Sequence, residues 1–204
     1  AKKHGEEAAV LERLAIMRGE KDELSLRIAK AYGRAGQSER ARERLERAVA
    51  DGGGSVEVRE VLAGLYRQTG ALAELAQLFA LEADLTEDVD QKLGRLSEAA
   101  SLYVHELEQP EPAIELLEKA AQLRPEELGT LFALSEALRA AGRRDEAKSV
   151  LERIVAQFGT RKPKERALVH FELGRLAIAE QNRTLALKEL ETASKIDPTH
   201  GGVL

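Results

Sequence analysis

Four histidines, His4, His105, His170 and His200, are the side chains best suited to ligate a metal or move a proton. Their spacing assembles no site. A helical zinc site of the H-E-x-x-H type needs two His four residues apart with an acid between. His105-Glu106 begins such a run, but Gln109 stands where the second His belongs. The chain has no Cys, so it offers no thiolate ligand, no disulfide and no Cys nucleophile. Its serines carry no nucleophile motif. Asp51-Gly52-Gly53-Gly54-Ser55 has the glycines of a phosphate loop, yet lacks the preceding strand and the Lys-Ser/Thr ending, so it reads as a turn between helices. Glu106, Glu108 and Glu111 read as solubility charges, because no pocket singles out a pair. Arg161-Lys162-Pro163-Lys164-Glu165-Arg166 reads as a solvated loop before it reads as a contact for an acidic partner or RNA. These residues imply no catalytic centre, no metal and no cofactor.

The elements that carry these side chains are helices. The chain has 204 residues, 43% apolar and 33% charged, with Leu and Ala recurring at helical spacing. Seven aromatics and no Trp leave a core of Leu, Ala, Ile and Val, which suits closely packed helices. The net charge of −5 argues against general nucleic-acid binding, which is usually driven by a basic excess. No apolar run approaches the ~20 residues that span a bilayer. No signal peptide is visible, and absence of Cys is compatible with the cytoplasm, the expected location.

The helices repeat. A small residue followed three later by Tyr, Leu or Ala recurs in Ile28-Ala29-x-x-Tyr32, Leu62-Ala63-x-x-Tyr66, Ala99-Ala100-x-x-Tyr103, Leu134-Ser135-x-x-Leu138 and Leu173-Gly174-x-x-Ala177. The small residues lie 34, 37, 35 and 39 positions apart. A second series follows each: Ala41/Leu45/Ala48, Leu75/Phe79/Glu82, Ala113/Leu117/Ala120, Ala147/Leu151/Ile154 and Ala186/Leu190/Ala193. Gly36, Gly70 and Gly142 mark turns between the two series. Gln181 replaces Gly in the last turn, and Glu108-Gln109-Pro110 replaces it in the third with one extra residue. The long spacings place short insertions near 87–92 and 161–166. A small residue is needed where two helix axes cross, because overpacking costs about 1–3 kcal/mol.

This pattern resembles the tetratricopeptide repeat family over residues 22–200. Pro125 and Pro198 match the family's Pro, whereas Gly53, Glu87 and Gly159 stand there in the other repeats. The resemblance implies an all-α, right-handed α-solenoid of about eleven helices. Its expected layout is a single solenoid over 1–204, with a leading helix at 5–18 and repeats at about 22–55, 56–89, 93–127, 128–161 and 167–200. Asp197-Pro198 reads as the start of another helix, so a piece of a longer array or multidomain protein is expected.

In that family the first helix of each hairpin lines a concave, partner-binding face. The matching outward positions include Lys30 and Arg34, then Arg67, then Ser97, Ser101 and His105. The fourth repeat gives Phe132, Glu136 and Arg139, and the fifth gives Leu168, Phe171, Arg175 and Ile178. Phe132 and Phe171 occupy equivalent slots with Arg nearby, a composition typical of binding hot spots. The alternative is that both rings fill an aromatic-poor core. His105 either lines the groove or simply faces solvent. Family clamps for chaperone tails use Lys and Asn at set places. Here those places hold Leu26, Lys30, Val61, Gly94 and Glu98, which disfavours such a clamp.

The resemblance implies a non-catalytic scaffold that holds a protein or peptide in its groove. A second reading makes the chain the recruiting or regulatory part of a larger enzyme. RNA reading by helical repeats fits less well with a net acidic chain. No membrane insertion is expected. Uncapped ends would permit end-to-end self-association.

Overall fold

The structure is a computed structural model that describes residues 2–18, 22–161 and 163–199. Lys162, His200 and Gly201–Leu204, and with them the expected further helix after Pro198, lie outside the described residues. The chain divides into two compact units, Ala1–Glu87 and Asp88–Leu204.

The first unit holds five helices: α1 (Lys2–Arg18), α2 (Asp22–Arg34), α3 (Ser38–Ala50), α4 (Val56–Thr69) and α5 (Leu72–Leu85). The second holds six: α6 (Val89–Ser101), α7 (Pro110–Leu123), α8 (Leu128–Ala140), α9 (Arg144–Phe158), α10 (Lys164–Ala179) and α11 (Arg183–Ile196). A π-helical turn, Leu102–Glu106, extends α6. No strand occurs among the described residues. Consecutive helices pack as hairpins, α2 on α3, α4 on α5, α6 on α7, α8 on α9 and α10 on α11. The fold is therefore an all-α series of helix–turn–helix repeats.

Four of the five hairpin turns have the same hydrogen-bond signature. The carbonyls of Tyr32, Tyr66, Leu138 and Ala177 accept from the backbone N–H five residues on, at 2.8–2.9 Å. This is the 6→1 bond of a Schellman ending, which needs a left-handed residue just before the donor. Gly36, Gly70 and Gly142 supply that conformation without a Cβ penalty. Gln181 adopts it with φ 59°, and Glu108 with φ 54°. In the third turn the carbonyl of Tyr103 accepts from Gln109, six residues on. The extra residue is absorbed upstream, where Leu107 N–H bonds Leu102 O in π-helical fashion.

Three first helices, α4, α6 and α8, begin on side-chain caps. The Ser55 hydroxyl accepts from Val58 N–H, Asp88 from Asp90 and Gln91, and Glu127 from Gly129 and Thr130. Pro163 precedes α10 and Pro110 opens α7, where a missing N–H is harmless. The insertion near 87–92 falls into the first turn of α6. That near 161–166 is shared between the α9–α10 loop and the start of α10.

The repeat's small slots are buried: Ala29, Ala63, Ala100, Ser135 and Gly174 on first helices, Ala41, Ala113, Ala147 and Ala186 on second helices. Between them lie fully buried Ile28, Leu45, Val58, Leu62 and Leu75 in the first unit. Ile114, Leu117, Leu131, Leu151, Ile154 and Val169 do the same in the second. Each such side chain contributes about 1.5–3 kcal/mol on leaving water. Glu82 breaks the pattern, since its slot usually holds Ala. It is held by Arg59 of α4, Nε to Oε1 3.3 Å, with both side chains nearly buried (12% and 11% exposed).

Candidate functional site

The first helices of the second unit leave a groove of about 400 Å³. Its apolar surface comes from Phe132 and Ala133 on α8, Leu168 and Leu176 on α10, and Leu151 of α9. Leu151 is fully buried, whereas Leu168 remains 37% exposed. Glu136, Arg139, Glu172 and Arg175 form the charged rim. Five of the sequence-derived positions therefore meet here: Phe132, Glu136, Arg139, Leu168 and Arg175. A smaller hollow of about 160 Å³ adjoins it through Ala133 and Glu136, and is lined by Ser97, Ser101 and His105. His105 is both exposed and part of this lining, which joins its two readings.

Helical geometry explains the gathering. Phe132, Glu136 and Arg139 lie at i, i+4 and i+7 on α8, one stripe of the helix. Leu168, Glu172 and Arg175 repeat that spacing on α10. The Ser135 hydroxyl donates to the Phe132 carbonyl at 2.8 Å, which keeps this polar group satisfied on the packed side. Each rim Arg is paired on its own helix, Arg139 with Glu136 at 4.0 Å and Arg175 with Glu172 at 3.0 Å. Exposed i,i+3 pairs contribute at most about 1 kcal/mol. Both guanidinium groups can therefore turn to an incoming carboxylate at little cost. Arg175 also lies 5.9 Å above the Phe171 ring.

Other expected residues fall elsewhere. Phe171 is half-buried outside the groove lining, so the two equivalent Phe slots differ: Phe132 opens to the groove and Phe171 carries Arg175. Ile178 is 58% exposed and lines neither hollow. Lys30, Arg34 and Arg67 are exposed in the first unit. Arg67 stacks over the buried Phe79 ring at 5.5 Å, so part of its side chain covers core.

His170 was not singled out by its sequence surroundings, and the structure gives it a definite place. It is buried (8% exposed), with Nδ1 2.7 Å from Glu189 Oε2 of α11. The partners lie 19 residues apart on different helices, so no local motif could reveal them. Among the described residues no group of three or more His, Cys, Asp or Glu could hold a metal ion. Among the described residues no helix is long and apolar enough to cross a membrane.

The start of α8, and hence Phe132, is set by the Glu127 cap. Hydrogen bonding from Thr130 is the main cause that holds the Glu127 carboxyl below its ordinary 4.5; the Gly129 N–H and the Arg124 charge add to it, against partial burial. A depressed folded-state pKa means that the stabilisation is fully present above the unfolded value. It is lost as pH falls below about 4.5 through the folded value. Glu127→Gln is expected to lower stability at pH 7 by about 0.5–1 kcal/mol, the usual worth of a solvent-screened cap. It should also flatten the fall in melting temperature between about pH 5 and pH 3. Thermal melts of both proteins across that range check this. Parallel curves would assign the acid sensitivity to other groups.

Two family models, both described as tetratricopeptide repeat, match residues 26–90 and 105–168. YrrB, a TPR protein with an unusual peptide-binding site, superposes with TM-score 0.58 at 21% identity, covering 96% of each chain. A Podosopora anserina putative kinesin light chain with nearly identical TPR-like repeats gives 0.58 at 25% identity, over 87% of this chain and 95% of that one. Naa15/Naa10 bound to HypK gives 0.71 at 17% identity, over 99% of this chain but 30% of the other. The first and third likenesses, under 25% identical, speak to the fold alone. No curated protein matches the sequence.

Proposed function

Since this chain belongs to the tetratricopeptide repeat family, a family of protein-interaction scaffolds, we propose that it captures a peptide or short helix of a partner in the first-helix groove of its second unit. The supporting observation is the convergence of Phe132 and Leu168 with the Arg139 and Arg175 rim on one groove of about 400 Å³. Apolar anchors beneath Arg side chains are the composition of binding hot spots. The volume suits a few side chains of an extended or helical segment. Glu136 and Glu172 balance the two arginines, so the fitting segment is apolar with charges of both signs and no strong net charge. The role is one of holding, with no chemistry assigned to the groove. The peptide-binding site of YrrB is a parallel within the same fold.

The test is peptide display against the whole chain, followed by affinity measurement on the wild type and on Leu168→Asp/Arg175→Glu. Both positions are exposed, so the variant is expected to keep its helicity. Selected peptides should bind the variant at least about tenfold more weakly, the loss of roughly 1.4 kcal/mol. Equal binding by a fully helical variant would reject this groove as the site.

A further inference from the structure

The first unit has a hollow of its own, of about 210 Å³, on the side made by second helices. It runs between α3 and α5 and is floored by α4. Leu62 and Leu78 are buried at its base beside half-buried Val49. Glu46 of α3 and Glu74 of α5 stand at its rim, and no Lys or Arg is among its lining residues. The Tyr66 hydroxyl, at the floor, donates to Glu46 Oε1 at 3.0 Å. Arg42, one turn earlier on α3, approaches the same carboxylate at 3.4 Å but is shared with Glu39 at 2.8 Å. Glu74 is exposed and has no ion-pair partner among the described residues. Burial first, then the charges of Glu46 and Glu74, push the Tyr66 phenol well above its ordinary pKa. Glu46 and Glu74 thus place negative charge about the floor, opposed by the Arg42 charge.

Size and chemistry narrow the occupant. Pockets for whole small ligands run about 300–1,000 Å³, so this hollow is closer to one long side chain. An apolar base under carboxylates matches a side chain with an aliphatic stem and a cationic head, which buries the stem and keeps the head at the rim. A neutral apolar residue would fill the base but leave the rim unused. An acidic one would be repelled by two like charges. We propose that this hollow is a second docking site that takes an arginine or lysine side chain from a partner's peptide segment. It lies between two second helices over a first-helix floor, uses none of the groove residues of the second unit, and does not depend on the reading given to that groove.

The experiment is an NMR titration of the isotopically labelled whole chain with Ac-Ala-Leu-Arg-Leu-Ala-NH2 and its Lys, citrulline and Glu analogues. The Arg and Lys peptides should give saturable shifts at the amides of Val49, Glu74 and Leu78. Citrulline keeps the shape of Arg but not its charge, and should bind about fivefold more weakly. The Glu peptide should give no saturable shift there. Glu74→Gln, at an exposed position, should weaken the Arg peptide by about the same factor. Equal affinities for Arg and citrulline would overturn the proposal. So would shifts confined to Glu136 and Leu168, which report the other groove, or no saturable shift up to about 10 mM.

Discussion

Replacing Arg59 by alanine is expected to destabilise the first unit by about 2–4 kcal/mol, read as a lower urea midpoint by circular dichroism. The size of the effect follows from what the guanidinium holds. Its Nε reaches Glu82 on α5 at 3.3 Å, in a place where both side chains are nearly dry. Its Nη1 donates to the Gly53 carbonyl at 3.0 Å and to that of Gly54. One side chain thus ties the α3–α4 loop, α4 and α5 together. Its removal takes the cation from a buried carboxylate and a donor from two loop carbonyls. Breaking a nearly buried pair from one side is costly because the remaining charge loses that part of its compensation. Removing both charges is different. Arg59→Met/Glu82→Ala restores the Ala found at this slot in the first, third and fifth repeats, and should recover more than half of the loss. A double variant as unstable as Arg59→Ala would show that the damage lies in the loop contacts and not in the broken ion pair.

Gly174→Val should cost about 2–3 kcal/mol in the second unit, whereas Gly174→Ala should stay within about 1 kcal/mol of the wild type. Gly174 occupies the small slot of the last repeat, where α10 crosses α11. A Cβ added there would lie 2.8 Å from both Cγ and Cδ2 of Leu190. For alanine, the gain in helix propensity of about 1 kcal/mol offsets the shift required of half-buried Leu190. Valine adds two methyl groups that no local shift can place, with the Ala186 carbonyl also 3.6 Å from the new Cβ. Hydrogen exchange should show the loss at α10 and α11 first, because stability in repeat arrays is dominated by nearest-neighbour contacts. Unchanged protection at α10 and α11 in Gly174→Val would mean that these helices do not cross as closely as the structure shows.

These two sites also show where sequence reading succeeds and where it stops. Gly174 was legible, because the small slot recurs through Ala29, Ala63, Ala100 and Ser135, and the crossing of two helices explains it. Glu82 was legible as an exception to its series, but its partner was not. Arg59 lies 23 residues away on another helix, in no motif. His170 and Glu189 are alike in this respect. The extra residue of the third turn was visible as an altered spacing. That a π-helical turn absorbs it, leaving Glu108 at positive φ, depends on the competing hydrogen bonds of a formed helix end.

The all-α repeat is written along the chain, because helix period, small crossing residues and turn signals are local or nearly local properties that recur from repeat to repeat. The resemblance to the repeat family, carried over residue by residue, implied the outward face of each first helix. Which outward residues share a common surface depends on how the helices pack. Phe132 and Phe171 hold equivalent places in their repeats, yet one opens to the groove and the other lies beneath Arg175. The acid-rimmed hollow between α3 and α5 is likewise invisible in either helix alone. A cavity is a property of the space between side chains from different helices, and that space is fixed by packing, not by the pattern along any one of them.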